Sequence, residues 1–275
     1  MYRKVWKNCQ SSVCSIHYLS KSGTRIITFT GFKIHNFLIT DDIVNRFATP
    51  EEVMICFTKS DGCTEQSSKV LRYDDFRARI IPMKSNIHPG FVIIDLDLDE
   101  FRDIPSLNCS KKINYEIGHP IAVLGYQLEQ DNLAIKGGII SSFYRELDGV
   151  NYIQVDCSIR QGNAGSPLID VETLDVIGVI GHRLAFIAKA YKETMRIINN
   201  NLRILKDVEG KFNFNDIDPV QVLIANQNQI KHLANEFFKS ANLRVGFAVE
   251  LCSMIDHCPE AEDVTTVDLE QNPDN

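Results

Sequence analysis

The sequence predicts an all-β fold: two antiparallel six-stranded β-barrels, with an α-helical hairpin inserted into the second. Short runs rich in Val, Ile, Thr and Phe fill roughly the first 180 residues. These runs form two sets of about six, which is the strand spacing of antiparallel barrels or sandwiches. Helical spacing of apolar residues is found only after residue 184.

The first set of runs predicts an N-terminal barrel over residues 1–105. Turn signals such as Ser-Gly, Thr-Pro and Asp-Gly separate these runs, because Gly, Pro and Asp favour tight turns. The predicted strands are Ser11–Ser20, Arg25–His35, Asn36–Ile39, Glu52–Thr58, Lys69–Tyr73, Ala78–Ile81 and Phe91–Leu96. The boundary between the two halves is expected near Phe101–Lys112.

The second set predicts a C-terminal barrel, formed by residues 106–182 together with 243–255. Its last strand follows the helical hairpin, so the hairpin is an insertion between two strands of this barrel. The predicted strands are Ile121–Gln127, Leu133–Tyr144, Tyr152–Ser158, Ser166–Asp170, Val176–Ile180 and Leu243–Leu251.

The helical hairpin is predicted over residues 183–242. Apolar residues recur at helical spacing from Ile187 to Leu205, and Asp218-Pro219 supplies an N-cap and a first-turn proline for a second helix. Two such helices carry more apolar surface than one seam can hide, so part of it should stay exposed or rest on a barrel. The residues expected in the seam are Ile187, Tyr191, Ile198, Leu202, Ile224, Ile230 and Phe237.

The composition excludes several classes of protein. With 44% hydrophobic residues the chain can bury a core, and a net charge of −7 argues against a generally basic protein that coats nucleic acid. No apolar run reaches the roughly 20 residues of a membrane span, and no apolar stretch follows the basic N-terminus as in a signal peptide. We therefore expect a cytoplasmic protein without membrane contact. Residues 256–275 predict a disordered acidic tail, because they contain no Lys or Arg and no apolar periodicity.

The cysteines do not form a recognisable metal site. The eight are irregularly spaced and contain no C-x-x-C pair. The closest approach to a zinc cluster, Cys252, His257 and Cys258, lacks a fourth ligand at a suitable spacing. We therefore expect free thiols, no metal and no cofactor.

The most informative stretch is Ile153–Ile169, which contains Gly162-Asn163-Ala164-Gly165-Ser166-Pro167 and precedes a Val-Ile-Gly-Val run. It resembles the nucleophile loop of trypsin-like serine proteases, specifically of their HtrA-type branch. The resemblance covers roughly residues 10–182 and 243–251 and implies the two-barrel fold. Further segments that match the family in the same order are Gly31-Phe32, Phe37–Thr40, Ile117–Pro120, Gly137–Ser141 and Val245–Val249.

The resemblance also places the three catalytic positions of the family, which come in the order His, Asp, Ser. In this chain they are Ile43, Gly90 and Ala164. Ile and Gly cannot accept a proton, and Ala cannot attack a carbonyl. The chain therefore resembles a pseudoprotease, and no catalytic residue is expected. An alternative is a working endopeptidase with an engineered Ala164 or a rearranged site. The nearest replacements for a rearranged site are Ser166 and the histidines His35, His88 and His182.

Two binding features could outlast the lost chemistry. In the family, the backbone amides matching Gly162 and Ala164 form an oxyanion hole, which here could remain as a nest for a carbonyl or carboxylate. An equally good explanation of these glycines is that they only keep the turn foldable. Val179, Ile180 and Gly181 match the strand that pairs with substrate backbone.

The hairpin is the other candidate surface. Its first helix carries Lys189, Lys192, Arg196 and Arg203 against one acid, Glu193, and such a face could contact a partner protein or phosphates. A solvated face is the simpler interpretation. We therefore expect a protein-binding or regulatory subunit that uses its former substrate cleft or its hairpin and binds another protein or a peptide segment. A nucleic-acid-contacting accessory subunit is the weaker alternative.

Overall fold

In the computed structural model the chain divides into two units, residues 1–182 with 244–275, and residues 183–243. Each unit is described by itself. The residues described are 1–45, 50–82, 90–109, 115–127, 130–145, 149–160, 162–181, 185–211, 218–240 and 246–251. The predicted tail, 256–275, and the end of the predicted second barrel, 252–255, lie outside these residues.

The first half forms one antiparallel sheet of seven strands, in the order β5-β4-β1-β2-β3-β7-β6. This is the predicted first β half, with seven described strands where six were expected. The residues after β5 form a short helix, α2, and the two residues of β6 pair with β7, so no described strand closes β5 against β6. The bounds are β1 Val13–Leu19, β2 Arg25–Ile34, β3 Phe37–Asp41, β4 Glu52–Thr58, β5 Glu65–Arg72, α2 Tyr73–Ala78, β6 Ile80–Ile81 and β7 Phe91–Asp95.

The second half confirms the predicted six-stranded barrel. Its strands close in the order β10-β13-β12-β11-β8-β9, and the strand after the hairpin, β13, pairs with both β10 and β12. The bounds are β8 Pro120–Gln127, β9 Gln130–Arg145, β10 Asn151–Val155, β11 Pro167–Asp170, β12 Val176–Ile180 and β13 Gly246–Glu250.

Among the described residues, two short α-helices precede residue 184, in a region where the sequence shows no helical period. Helix α1 spans Tyr2–Cys9, with Val5 and Cys9 buried one turn apart. Trp6 lies over Gly62, where a Cβ would come 2.8 Å from its ring, and its Nε1–H donates a hydrogen bond to the Ser60 carbonyl oxygen (3.1 Å). With eight residues in α1 and six in α2, neither helix is long enough for a helical period to be distinguished in the sequence.

The hairpin unit consists of α3 Ala185–Val208 and α4 Pro219–Ser240, which pack against each other. The predicted N-cap is confirmed, because Asp218 Oδ1 accepts a hydrogen bond from the Val220 N–H at 2.8 Å. Ile198 is buried as expected, but Ile230 and Phe237 are 48% and 66% exposed and do not belong to the seam. None of the described helices is long and apolar enough to cross a membrane.

Candidate functional site

The predicted nucleophile loop lies between β10 and β11 and is fixed to β2. Thr30 makes both connections: its Oγ1–H donates to the Gly162 carbonyl oxygen (2.7 Å), and its N–H donates to the Ala164 carbonyl oxygen (3.0 Å). Gly162 and Gly165 have φ angles of +97° and +86°, which L-residues rarely adopt. The glycines therefore set the shape of the loop, and Thr30 sets its position.

Gly165 has a second requirement besides its φ angle. A Cβ there would lie 2.0 Å from the Thr30 carbonyl oxygen, 2.4 Å from Thr40 Oγ1 and 2.9 Å from the Asp41 amide nitrogen. The loop backbone thus rests directly on β2 and the end of β3. No side chain fits between them.

Asn163 is fully buried in the middle of the loop and anchors it from below. Its Nδ2–H donates to the Tyr126 carbonyl oxygen (2.8 Å), while its Oδ1 accepts from the Arg160 N–H (3.0 Å) and from Lys136 Nζ (2.5 Å). Lys136 Nζ also donates to the Ser158 carbonyl oxygen (2.8 Å). Burial lowers the pKa of Lys136 below its usual value.

Ile43 and Gly90 lie against the same end of β3. The Asp42 N–H donates to the Gly90 carbonyl oxygen (3.2 Å), and Ile43, the next residue, packs on the core of the first sheet. Because Gly165 contacts Asp41 on the other side, the structure brings Ile43, Gly90 and Ala164 to one short segment, residues 41–43. The segments that carry these three positions are therefore neighbours in the fold, although they are far apart in sequence.

A family model described as a trypsin-like peptidase domain matches residues 47–179. The active form of the Rv3671c protease from M. tuberculosis superposes with a TM-score of 0.52 at 14% identity, covering 93% of this chain and 84% of that one. This protein has the trypsin-like serine protease fold.

Two further proteins are similar to shorter parts of the chain. A "Probable periplasmic serine endoprotease DegP-like" of Hahella chejuensis is 32% identical over 83 residues, which is 29% of this chain and 17% of that protein. The structure "HtrA-type protease AlgW with tripeptide" has a TM-score of 0.48 at 14% identity and matches 66% of this chain and 54% of that one. The chain thus matches about half of that solved structure and less of the curated relative.

The three positions that the resemblance assigned to the triad are occupied by Ile43, Gly90 and Ala164. The histidines of this unit are the possible replacements for the base. The two ring nitrogens of His17 are hydrogen-bonded to the hydroxyls of Ser15 and Thr28, each at 2.9 Å. His119 Nε2 lies 3.0 Å from Asp170 Oδ1, and His35 lies in the β2–β3 turn. His88 and His182 fall outside the described residues.

Sequence reasoning missed Asp41, a fully buried carboxylate beside the three positions. Its Oδ1 accepts a hydrogen bond from the Ile43 N–H at 2.8 Å, and its Oδ2 would lie 3.8 Å from a Cβ on Gly181. Thr30 and Lys136 were missed as well. The available signal for Asp41 was an acidic residue two positions before the base position, Ile43. The contacts of Thr30 and Lys136 cross between strands, and nothing local in the sequence indicates them.

The predicted oxyanion-type nest consists of the backbone amides of Gly162 and Ala164. In the part of the chain that the structure describes, neither the Gly162 N–H nor the Ala164 N–H donates a hydrogen bond. The carbonyl oxygens of these two residues accept hydrogen bonds from Thr30. The loop can therefore offer two N–H groups to an acceptor without giving up its own connections.

The predicted peptide-binding strand needs correction. Val179 pairs with β11 on one side and with β13 on the other, and the Ile180 N–H and carbonyl oxygen are bonded to Ser166 and Gly165. The Gly181 N–H donates to the Phe247 carbonyl oxygen (2.9 Å). Because β12 is an inner strand of a closed barrel, Val179 and Ile180 have no free edge for strand addition.

The basic face of α3 is partly balanced by its own neighbours. Arg196 forms an ion pair with Glu193 (2.6 Å), and Arg203 donates to Asn200 Oδ1 (3.2 Å). The side chains of Lys189 and Lys192 lie outside the described residues. No group of three metal-ligating side chains occurs in the described ranges, and Cys252, His257 and Cys258 lie beyond them.

Proposed function

We propose that this protein is a catalytically inactive trypsin-like protein, a pseudoprotease, and acts as a protein-binding or regulatory subunit. The observation that carries this proposal is the identity of the residues at the three positions that the resemblance assigns to the triad: Ile43, Gly90 and Ala164. A serine protease needs a nucleophile, a base that accepts its proton and a group that orients the base. None of these three side chains can fill any of these roles.

The binding part of the proposal rests on what the loop keeps. Gly162 and Gly165 hold the turn, Thr30 and Asn163 anchor it, and the N–H groups of Gly162 and Ala164 remain available. Lys136, whose Nζ donates a hydrogen bond to Asn163 Oδ1, adds a positive charge next to the loop. A carbonyl or carboxylate oxygen of a partner's peptide segment would complete these donors. With the serine Oγ absent, the acceptor can approach without being attacked.

The activity test restores the nucleophile alone. The Ala164→Ser protein should not react with a fluorophosphonate probe and should not digest casein, because Ile43 cannot activate the hydroxyl. Any remaining hydrolysis should stay within the roughly 10³–10⁴-fold over water that binding and an oxyanion hole supply. Rapid labelling of the Ala164→Ser protein, or turnover blocked by a serine-directed inhibitor, would show a working protease and contradict the proposal.

The binding test uses amide resonances of the wild-type protein. Peptides from a tryptic digest of casein are titrated while the ¹H–¹⁵N signals of Gly162 and Ala164 are followed. We expect saturable shifts at these two amides, since a new acceptor changes their hydrogen bonding. The Gly118 amide, which already donates to the Ile140 carbonyl oxygen, is the control and should not move. Unchanged Gly162 and Ala164 signals would argue against the cleft as the binding surface.

A further inference from the structure

Helix α4 carries two rows of residues at alternating spacings of three and four residues, which we call its inner and outer seams. The inner seam consists of Val220, Ile224, Gln227, Lys231 and Ala234, and the outer seam consists of Leu223, Asn226, Ile230, Leu233 and Phe237. Such spacing keeps each seam on one face of a helix that is slightly supercoiled, which is how left-handed coiled coils are built. Each seam is therefore suited to packing against another helix.

The inner seam is occupied by α3. Val220 is buried and the other inner positions are half-buried. Lys231 Nζ donates a hydrogen bond to Asn199 Oδ1 of α3 (2.8 Å), and Asn235, beside the seam, is bonded to the Tyr191 hydroxyl of α3. The contact within the hairpin thus includes polar groups at several of its positions.

The outer seam is the more apolar of the two, yet it faces outward. Leu223, Ile230 and Leu233 are 50%, 48% and 55% exposed. Only Asn226 in this seam is polar, whereas Gln227 and Lys231 are polar in the inner one. Exposed apolar side chains repeated at coiled-coil spacing are typical of an interaction surface, since isolated exposed apolar residues are common but ordered rows are not.

The charges around the outer seam indicate the kind of partner. Of the five flanking positions, Gln227 and Ala234 also belong to the inner seam, and the exposed ones are Val222, Gln229 and Glu236, so only one of the five is charged. Charged flanks normally choose a foreign partner by complementary charge, and this seam has almost none to offer. A nearly neutral seam fits another nearly neutral seam, and a second copy of the chain supplies one of the same length and composition.

We propose that the outer seam of α4 pairs with the outer seam of a second copy, so that the protein forms a homodimer through its hairpin. This dimer does not depend on the proposed peptide binding at Gly162 and Ala164, because it involves a different unit of the chain.

The full-length protein should sediment as a dimer over about 1 to 100 μM, a range in which moderate self-association is visible. Ile230→Glu should weaken the dimer at least about 100-fold, because a carboxylate would be buried in the seam without a partner. Ala225→Glu is the matched control, since it places the same charge at an exposed position of α4 outside both seams. It should leave the dimer unchanged.

Circular dichroism shows whether Ile230→Glu is folded, and a second variant keeps the dimer testable if it is not. Asn226→Leu completes the apolar row and should tighten the dimer about 10-fold or more. A wild-type protein that stays monomeric over the whole range overturns the proposal. So does a dimer that Ile230→Glu, correctly folded, leaves as tight as wild type, or one that Asn226→Leu loosens.

Discussion

At the scale of single residues, His17 is a neutral group held inside the first sheet. Its ring nitrogens are bonded to the hydroxyls of Ser15 on one side and Thr28 on the other, and the side chain is buried. Burial, with a smaller contribution from the charge of Arg25, lowers the pKa of His17 to about 4. The unfolded chain binds this proton at a pKa near 6.5.

The difference predicts acid sensitivity. The folded state binds fewer protons than the unfolded state between pH 6.5 and about 4, so the free energy of unfolding should fall through this window as the pH falls. The loss attributable to His17 is at most about 3 kcal/mol. Urea unfolding of the wild type and of His17→Gln at a series of pH values measures it, and His17→Gln should show the shallower slope. His232→Gln, at an exposed position of α4, should keep the wild-type slope. Equal slopes for all three proteins would contradict the assignment.

The residues of the nucleophile loop could be predicted from the sequence, but the side chains that hold this loop in place could not. The Gly-Asn-x-Gly pattern identified Gly162, Ala164 and Gly165, because a turn with positive φ angles needs glycine at set positions. Lys136 contacts Asn163 across 27 residues of sequence, and its role depends on burial. Neither fact is local, so no motif records it.

At the scale of elements, the nucleophile loop depends on close contact between backbones. Gly165→Ala should destabilise the protein by more than about 3 kcal/mol, because its Cβ would overlap the Thr30 carbonyl oxygen as well as impose an unfavourable φ. Gly118→Ala is the matched control: its φ is +90°, but no atom lies within 4 Å of the added Cβ. It should lose only about 1–2 kcal/mol. Thermal or urea unfolding compares the two, and similar losses would mean that the contact with Thr30 is unimportant.

Strand periodicity was the more dependable signal among the elements. β12 was predicted with its observed bounds and the predicted β8 began one residue late, since both are runs of Val, Ile and Leu that must fill a barrel. Helices α1 and α2 were not predicted because they are short and are stabilised by packing rather than by their own period. The ring of Tyr2 rests on the backbone of Gly137, which is a long-range contact. The exposed seam of α4 was misassigned because spacing alone cannot say which of two faces meets α3.

At the scale of the whole chain, the point of insertion of the hairpin unit suggests that the barrel does not need it. The chain leaves the barrel after Gly181 and returns before Phe247, and these two residues share a 2.9 Å hydrogen bond. Replacing residues 183–243 by a short Gly-Ser linker should therefore leave the barrel folded. Shortening the loop should add up to about 2 kcal/mol to the free energy of unfolding. Urea unfolding followed by Trp6 fluorescence measures it, and a loss of cooperative unfolding would show that the hairpin supports the barrel.

The division into two β halves and a hairpin was visible in the sequence because each has its own apolar period. Closure was not. Whether a sheet closes depends on the strands at its edges, and in the first half these are β5 and the two-residue β6.

The position of β13 also affects how the protein is made. All seven strands of the first sheet are complete at Asp95, so this sheet can form while the rest of the chain is still being translated. The barrel has to wait, since β13 is its last strand in synthesis and pairs with both β10 and β12. Until the ribosome has released Gly246–Glu250, those two strands each have an unpaired edge. The risk of mispairing between nascent chains is therefore greatest during translation of the hairpin.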